Sequence, residues 1–185
     1  MTENPYSHDY ANVPEERKKF VVPHEASGSE IVEIASKDGE VKIPVAFHTE
    51  GDDFYITGLQ PSTNEGGIIS GKISVDAAKV NHIDLAKNFR NLKLGQAFLN
   101  SLEQALKKRN VKNAYAVFGR QGTIDFFLRN GYTVISLSAL NENQKKELVI
   151  DPKDFQEIRN NEEYAEAIKI EGTLKRKLLM VKDLE

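Results

Sequence analysis

Cysteine is absent from the sequence. This absence excludes a disulfide framework, a thiolate metal site and a cysteine nucleophile, so the fold must be stabilised by packing. The histidines lie at His8, His24, His48 and His82, without the close spacing, such as His-x-x-x-His, that metal ligands on one element need. We therefore expect no structural metal.

Long apolar runs are also missing. No segment approaches the ~20 apolar residues that a membrane-spanning helix needs. The first ten residues, MTENPYSHDY, are polar and acidic rather than basic and apolar, unlike a secretory leader. These features predict a cytoplasmic protein without a membrane partner.

Neither sign of charge dominates, since the chain has 25 Lys and Arg residues and 28 Asp and Glu residues. Hydrophobic residues make up 39% of the sequence. This balance is typical of a soluble globular protein, and 185 residues predict a single domain. A nucleic-acid partner is not expected, because the chain is acidic overall and its basic residues are not interleaved with exposed aromatic residues. The basic residues considered for such a role are Arg90, Lys93, Lys107, Lys108 and Arg109.

The residue pattern divides the expected domain into five parts. They are an N-terminal arm at 1–28, a β-meander at 29–78, a core of alternating strands and helices at 79–139, a helical insert at 140–171 and a final strand at 172–185. In the meander the runs EIVEIAS, EVKIPVAFH and DFYITGL are β-branched or aromatic, and KDG and EGDD separate them as turns. In the arm, PEERKKF is a short helical candidate.

After the meander we expect a loop at PSTNEGG and two strands in IISGKISVDAAKVNHIDLA, broken near Asp76 to Ala78. The period then changes from 2 to 3.6, which indicates a helix with a buried and an exposed face. The buried face comprises Phe98, Leu99, Leu102, Ala105 and Leu106, and the exposed residues are Glu103, Gln104, Lys107, Lys108 and Arg109.

The remaining elements follow from similar patterns. NAYAVFG and YTVISLSAL are predicted strands, TIDFFLRNG is a helix that ends at Gly131, ENQKKEL and NEEYAEAI are helices split by Asp151 and Pro152, and TLKRKLLMVKDL is the last strand. The fold class is therefore α/β (α+β), with a mixed, mostly antiparallel central sheet and flanking helices.

The segment NFRNLKLGQAFLNSLEQAL connects a strand to a helix. Its first-turn amides have no partner within the helix, and Arg90 and Lys93 add positive charge beside Gly95. Two interpretations are open. The segment binds phosphate, or it is a solvated corner with two surface cations.

The sequence VNHIDLAKNFRNLKLGQAFLNSLEQALKKRNV, followed by AYAVFGRQGTIDFFLRNGYTVI, resembles the acetyl-CoA-binding half of the GCN5-related N-acetyltransferase (GNAT) superfamily. Arg90, Lys93 and Gly95 take three positions of the family's Q/R-x-x-G-x-G/A motif. The likeness covers about Lys79 to Ile135, is vaguer at Thr173 to Leu184, and is poor before Gly66.

The resemblance implies a GNAT-like acyl-CoA N-acyltransferase fold and the transfer of acetyl from acetyl-CoA to an amine. It makes 79–139 the coenzyme-binding core, with the main chain of Leu85 facing the pantetheine arm and the amides from Asn91 to Ala97 facing the diphosphate. The implied coenzyme-binding residues are Leu85, Arg90, Asn91, Lys93, Leu94, Gly95, Gln96, Ala97 and Arg120. Lys93 stands where the family prefers glycine, and we favour a side chain that curls onto the phosphates. Arg120 binds a phosphate or an acidic substrate, or it faces water at a helix start.

The proton-handling residues depart from the family. Its strand glutamate corresponds to Lys79 or Asn81, and neither is acidic. His82 and Asp84 are the candidate bases, although strand alternation places them opposite Asn81 unless a bulge intervenes, and a lone strand histidine is more often structural. In the family a tyrosine protonates the leaving thiolate, and that position corresponds to Phe127, which has no proton to give. The nearest phenols, Tyr115 and Tyr132, fit core positions.

Two functions therefore remain open, an N-acetyltransferase and a catalytically degenerate relative that binds coenzyme A or regulates a partner. The acceptor is a small-molecule or peptide amine of unknown identity. The acidic residues of the insert attract a cationic acceptor or form a solvated face. The oligomeric state is open, with a homodimer as one alternative.

Overall fold

The computed structural model describes residues 30–39, 41–60, 65–87, 90, 93–148, 156–159 and 173–185. The strands are β1 (Glu30–Ala35), β2 (Lys42–Glu50), β3 (Asp53–Gln60), β4 (Glu65–Ser74), β5 (Ala77–Leu85), β6 (Asn113–Arg120), β7 (Thr133–Val134), β8 (Ile158–Arg159) and β9 (Thr173–Asp183). The helices are α1 (Leu94–Lys107), α2 (Gln121–Arg129) and α3 (Glu142–Glu147), with a 3-10 turn at Leu137–Ala139.

The strands form one mixed sheet in the order β1-β2-β3-β4-β5-β6-β9-β7, with β8 paired to β9. Antiparallel ladders join β1 to β2, β2 to β3, β6 to β9 and β7 to β9. Parallel ladders join β5 to β6 and β8 to β9. The mixed, mostly antiparallel sheet that the sequence predicts is confirmed.

The chain divides into two compact units. The first contains the described residues within Met1–Gly71 and His82–Ala105, and the second contains Lys72–Asn81 and those within Leu106–Glu185. The strands β4 and β5 and the helix α1 therefore each contribute residues to both units. The expectation of a single domain stays a prediction.

The first unit buries one face of the β2–β3 hairpin against α1. Burial alternates along β2, because successive side chains point to opposite faces of a strand. On β3, Gly58 lies under Phe98 of α1, and a Cβ added at Gly58 would lie 3.1 Å from Cε2 of Phe98. The absence of a side chain at Gly58 thus lets α1 approach the sheet closely.

The predicted turns of the meander are confirmed. Ser36 stabilises the turn between β1 and β2 with two main-chain hydrogen bonds. Its amide donates to the carbonyl of Val41 at 2.8 Å, and its carbonyl accepts from the amide of Gly39 at 2.9 Å. Gly39 and Gly51 both have positive φ, at 77° and 59°, which glycine adopts without steric cost.

In the second unit, α2 packs on β6 and β9 and ends as the sequence predicts. Gly131 has φ 88°, the amide of Gly131 donates to Leu128, and the amide of Tyr132 donates to Phe127. This is a Schellman motif, and its usual apolar contact is present, with the rings of Phe127 and Tyr132 4.9 Å apart. The cap fixes the direction in which the chain leaves the helix.

The C-terminal end of α1 is capped in the same way, with asparagine in place of glycine. Asn110 has φ 61°, its amide donates to Lys107, and the amide of Val111 donates to Leu106. Asparagine tolerates the left-handed region better than most residues, so this is a second Schellman cap.

Several predicted elements differ from the structure. Glu65, Gly66 and Gly67 belong to β4 and not to the predicted loop. The strand predicted at YTVISLSAL is only Thr133–Val134, because Ser136 accepts a hydrogen bond from the amide of Ser138 and starts the 3-10 turn. The insert contains the short strand β8, which the helical prediction missed.

Glu103 was also assigned wrongly. It is 5% exposed, whereas the helical pattern placed it on the solvent side, because the covered face of α1 is wider than the apolar stripe. The predicted apolar face is confirmed, since Phe98, Leu99, Leu102 and Leu106 are 0% exposed and Ala105 is 5% exposed.

Other predictions lie outside the described residues. These are the arm at 1–28, its helix PEERKKF, the helix NEEYAEAI and the break at Asp151 and Pro152. Over the described ranges, no helix is long and apolar enough to cross a membrane. The same ranges hold no group of three or more His, Asp or Glu residues arranged to hold a metal ion.

Candidate functional site

The end of β5 is less buried than its beginning. Ala77, Ala78, Lys79 and Val80 are all buried, whereas the residues from Ile83 to Leu85 are all half-buried. The parallel ladder to β6 runs only from Ala77 to Val80 of β5. The last residues of β5 are therefore less covered than the first four and lie outside the ladder to β6.

A hydrogen bond fixes the orientation of this strand end. The amide of Ala86 donates to the carbonyl of Gly66 on β4 at 2.9 Å. Successive amides of an extended strand point to opposite edges, so the N–H of Leu85 points away from β4. Leu85 therefore presents a main-chain donor along the edge where the sequence resemblance expects pantetheine.

Two main-chain hydrogen bonds join described residues between β5 and α1. The amide of Arg90 donates to Ala86 at 3.3 Å, and the amide of Lys93 donates to Arg90 at 3.2 Å. Both side chains are exposed. The N–H of Lys93 is thus used within the chain, and Asn91 lies outside the described residues, so the described part of the expected diphosphate cradle is Leu94–Ala97.

Lys93 adopts a left-handed backbone conformation, with φ 56°. L-residues other than asparagine and aspartate rarely adopt this conformation, which costs about 1–2 kcal/mol, whereas glycine adopts it freely. This geometry explains why glycine suits the position. The prediction for Lys93 concerned only the direction of its side chain and missed the backbone conformation.

The start of α1 has no negative group of its own. Lys93 directly precedes Leu94 and has no oxygen with which to cap the helix, and the first turn contains no Asp or Glu. By contrast, Asn141 caps α3 through a hydrogen bond to the amide of Gln144. The first amides of α1 therefore combine the positive end of the helix dipole with two basic side chains nearby.

Burial varies along this first turn. Leu94 is 0% exposed and anchors the helix, Gly95 is buried, Ala97 is half-buried and Gln96 is exposed. Because Leu94 and Gly95 are both buried, the accessible part of this turn is at Gln96 and Ala97. The turn thus combines an apolar anchor with an accessible polar side.

The candidate bases lie on the same strand end. His82 is exposed, and Asp84 is half-buried and makes interactions within the protein. Asn81 is exposed as well, so burial does not separate the face of Asn81 from that of His82. The first unit brings His82 and Asp84 onto the strand that leads to the proposed coenzyme loop.

The second unit holds the position where the family has a tyrosine. Phe127 is 0% exposed and lies in a ring cluster, with Phe118 at 5.3 Å, Phe126 at 5.5 Å and Tyr132 at 4.9 Å between centroids. Tyr132 is 2% exposed, as expected for a core residue. This part of α2 therefore contributes packing and no titratable group.

Lys79 and Tyr115 are neighbours in the parallel ladder of the second unit. They are 8% and 3% exposed. Burial raises the pKa of Tyr115, and the negative charges of Glu147 and Asp76 raise it further. Tyr115 is thus a neutral core phenol, as the sequence indicates.

Arg120 is the last residue of β6 and precedes α2. It is exposed and its side chain makes no capping hydrogen bond. It belongs to the second unit, and its assignment to the coenzyme stays a prediction.

No family model matches this sequence, and no curated protein is similar to it. Solved structures are similar. One is a GNAT-family acetyltransferase from Staphylococcus aureus, with 15% identity, a TM-score of 0.49, and coverage of 72% of this chain and 69% of the other. The chain is similar to GNAT acetyltransferases.

Two further structures have comparable scores. Nourseothricin acetyltransferase has 14% identity and a TM-score of 0.49, with 85% of each chain covered. The PaiA N-acetyltransferase from Thermoplasma acidophilum, solved with coenzyme A, has 18% identity and a TM-score of 0.47, with 71% of this chain and 61% of the other covered.

Proposed function

We propose that this protein is an N-acetyltransferase that transfers acetyl from acetyl-CoA to an amine. The observation that carries the proposal is the junction of β5 and α1, where a less buried strand end leads into a helix start without an acidic or capping residue. The amine is a small molecule or part of a peptide, and no nucleic acid or membrane takes part.

The described residues fit a coenzyme with a diphosphate and an extended amide-containing arm. The amides of Leu94, Gly95 and Gln96 are the first of α1, where the helix offers them no internal acceptor, and Gln96 is the exposed residue of the three. Arg90 and Lys93 add formal positive charge beside these amides. The outward N–H of Leu85 is suited to an arm that runs along the strand.

Acetyl-CoA supplies a thioester, and the chain supplies position and proton transfer. The amine nitrogen forms a bond to the thioester carbon, the carbon–sulfur bond breaks so that coenzyme A leaves as a thiolate with the bonding electron pair, and the amine loses one proton. His82 accepts that proton, because it is an exposed imidazole on the strand that leads to the loop, and histidine is the side chain that most often serves as a general base. A backbone N–H near Leu85 donates to the carbonyl oxygen as negative charge develops on it.

A second function, binding of coenzyme A without transfer, is favoured by one specific observation. Phe127 is fully buried among aromatic rings, so the position at which the family protonates the leaving thiolate holds no proton donor. Removal of a general acid costs roughly 10²- to 10⁴-fold in rate. On this alternative the coenzyme stabilises the fold or regulates a partner.

Release of free thiol from acetyl-CoA, measured against a panel of amines, separates the two functions. The transferase proposal expects amine-dependent thiol release that falls at least about tenfold in His82→Asn, given the usual contribution of a general base. Coenzyme binding without amine-dependent release from any amine would favour the alternative.

The phosphate assignment has its own control. Arg90→Ala should weaken coenzyme A binding about fivefold, since an exposed charge pair contributes about 1 kcal/mol. Lys87→Ala serves as the matched control, because Lys87 is an exposed cation of the same segment without a motif position. Equal effects of the two substitutions would refute a specific role for Arg90.

A further inference from the structure

The C-terminal cap of α2 contains the only Asn-Gly pair of the sequence, Asn130–Gly131. An asparagine before glycine is prone to deamidation, because glycine has no side chain to hinder the approach of its backbone nitrogen to Cγ of the asparagine. Gly131 is exposed, so water has access to this residue. The pair is therefore a candidate site of covalent modification that plays no part in the proposed transfer reaction.

Deamidation of this pair needs only water as a second reactant. The Gly131 nitrogen loses its proton to water, attacks Cγ of Asn130 and forms a carbon–nitrogen bond. The bond from Cγ to Nδ2 breaks, its electron pair stays on nitrogen, and protonation releases ammonia. Water then opens the resulting cyclic imide at either of its carbonyl carbons, which leaves an aspartate or an isoaspartate. Both products carry a carboxylate in place of a neutral amide.

Two hydrogen bonds hold the reacting groups apart in the folded chain. The amide of Gly131 donates to the carbonyl of Leu128 at 3.2 Å, which retains the proton that this nitrogen must lose. Nδ2 of Asn130 donates to the carbonyl of Phe126 at 2.7 Å, which holds the side chain over the last turn of α2. Attack on Cγ therefore requires both hydrogen bonds to break.

The backbone of Asn130 is also in the wrong conformation for ring closure. The imide ring forms when Cβ of Asn130 comes close to eclipsing the Gly131 nitrogen about the Cα–C bond. At Asn130 ψ is 17°, so its own amide nitrogen is nearly eclipsed with that atom and Cβ is turned away. The Schellman motif fixes this arrangement, with Gly131 at φ 88°. The cap must open before the reaction can occur.

The chain beyond the cap is suited to local opening. The strand that follows, β7, has only two residues, Thr133 and Val134, paired to β9. Gly131 and Thr133 are exposed, whereas Tyr132 is buried with its ring against that of Phe127. Helix ends with exposed backbone open at a lower free energy than the core of a protein. The contact between the two rings therefore controls how often the Asn-Gly pair is released.

We propose that Asn130 is a deamidation site that is exposed when the α2 cap opens, and that the reaction hinders the cap from closing again. The product replaces Nδ2, which donates to Phe126, with a carboxylate oxygen that cannot donate. Oδ1 of Asn130 is buried and has no hydrogen-bond partner among the described residues, so a charge there loses hydration without compensation. The charge also lies at the negative end of the helix dipole.

Mass spectrometry of protease digests measures the reaction, because a carboxylate in place of the amide raises the mass of the peptide that contains Asn130. The full chain is incubated in mildly alkaline buffer, with and without enough guanidinium chloride to unfold it. The reaction should be at least about tenfold slower in the folded chain, as expected for a group that reacts only after local opening. Asn110, which precedes Val111 in the cap of α1, is the internal control and should react slowly in both buffers, because a β-branched side chain hinders the following nitrogen.

Two substitutions separate opening of the cap from unfolding of the whole chain. Tyr132→Leu removes the ring contact with Phe127 and should raise the folded-state rate at Asn130 roughly 2- to 10-fold, as expected from the energy of an aromatic pair. Ile69→Val is the matched control, because it removes one buried methyl group from the first unit and lowers stability to a similar degree. It should leave the rate at Asn130 unchanged.

A third substitution tests the effect of the product. Asn130→Asp reproduces the aspartyl form and should lower the melting temperature by roughly 2–10 °C. Asn110→Asp, at the exposed cap residue of α1, is its control and should lower the melting temperature less.

Four results would overturn the proposal. They are no deamidation of Asn130 in the unfolded chain, equal rates in the folded and unfolded chains, equal acceleration by Tyr132→Leu and Ile69→Val, or an Asn130→Asp variant as stable as wild type. If Tyr132→Leu does not fold, wild type in the two buffers and Asn130→Asp still decide the question. None of these outcomes depends on whether the chain binds coenzyme A.

Discussion

Replacing Lys93 with glycine should stabilise the protein, although it introduces a more flexible residue. Lys93 has φ 56°, and this conformation costs an L-residue about 1–2 kcal/mol. Glycine removes that cost but adds about 0.5–1 kcal/mol of backbone entropy to the unfolded chain. At the midpoints of the two ranges the net gain is about 0.75 kcal/mol, which corresponds to a rise of roughly 1.5–3 °C in melting temperature for a chain of this length.

Urea unfolding of wild type and Lys93→Gly measures this gain directly. Lys87→Gly is the matched control, because Lys87 is also an exposed lysine between β5 and α1 but does not have a positive φ. It should lose about 0.5–1 kcal/mol. If Lys93→Gly lost as much stability as Lys87→Gly, the left-handed conformation at Lys93 would be refuted.

The same variant tests the side chain of Lys93. If the ammonium group curls onto the coenzyme phosphates, Lys93→Gly should bind coenzyme A more weakly and with a smaller dependence on salt, whereas Lys93→Arg should keep both. A glycine variant that binds as tightly as wild type would show that the side chain points away. Stability and affinity thus report on the backbone and on the side chain separately.

Three further predictions concern packing and pH. Gly58→Ala should cost about 1–3 kcal/mol in chemical denaturation, because its Cβ would meet Phe98, Val45 and the carbonyl of Pro44 at 3.1–3.3 Å; an unchanged midpoint would refute the close approach of α1. Phe127→Tyr should cost about 1–3 kcal/mol by burying a hydroxyl in an aromatic cluster; a stable variant with faster thiol release would show instead that the hydroxyl reaches the reacting sulfur. The pKa of His48 is lowered on folding, so below pH 6.5 the unfolded chain binds a proton that the folded chain does not. Wild type should therefore lose stability relative to His48→Gln as the pH falls below 6.5, and parallel pH profiles would contradict this.

The sequence predicts those elements whose cause is local. The β-meander follows from short β-branched runs and turn residues, and Gly131 ends α2 because only glycine fits its φ of 88° freely. The buried face of α1 follows from its helical period. In each of these cases a local preference and the final packing agree.

Other features depend on contacts that no local pattern contains. Glu103 is buried although it is charged, because neighbouring parts of the fold extend over the side of α1. The 3-10 turn after β7 depends on a serine side chain that competes with strand pairing. The conformation of Lys93 is the clearest case, since the residue type argues against the φ value that the junction imposes.

The candidate site is predicted only in part for the same reason. Strand, loop and helix are recognisable around Arg90 and Gly95, and the residues from His82 to Ala105 belong to one unit. The stacking of His48 on Tyr55 could not be predicted from the sequence, because the two rings meet only through the register of β2 and β3.

The most direct test of the central claim is unfolding with coenzyme A and with pantetheine, which lacks the diphosphate. If the first turn of α1 binds diphosphate, coenzyme A at 100 times its Kd should add about 2.7 kcal/mol to the free energy of unfolding. Pantetheine at the same concentration should add far less. No stabilisation at millimolar coenzyme A, or equal stabilisation by pantetheine, would contradict the claim.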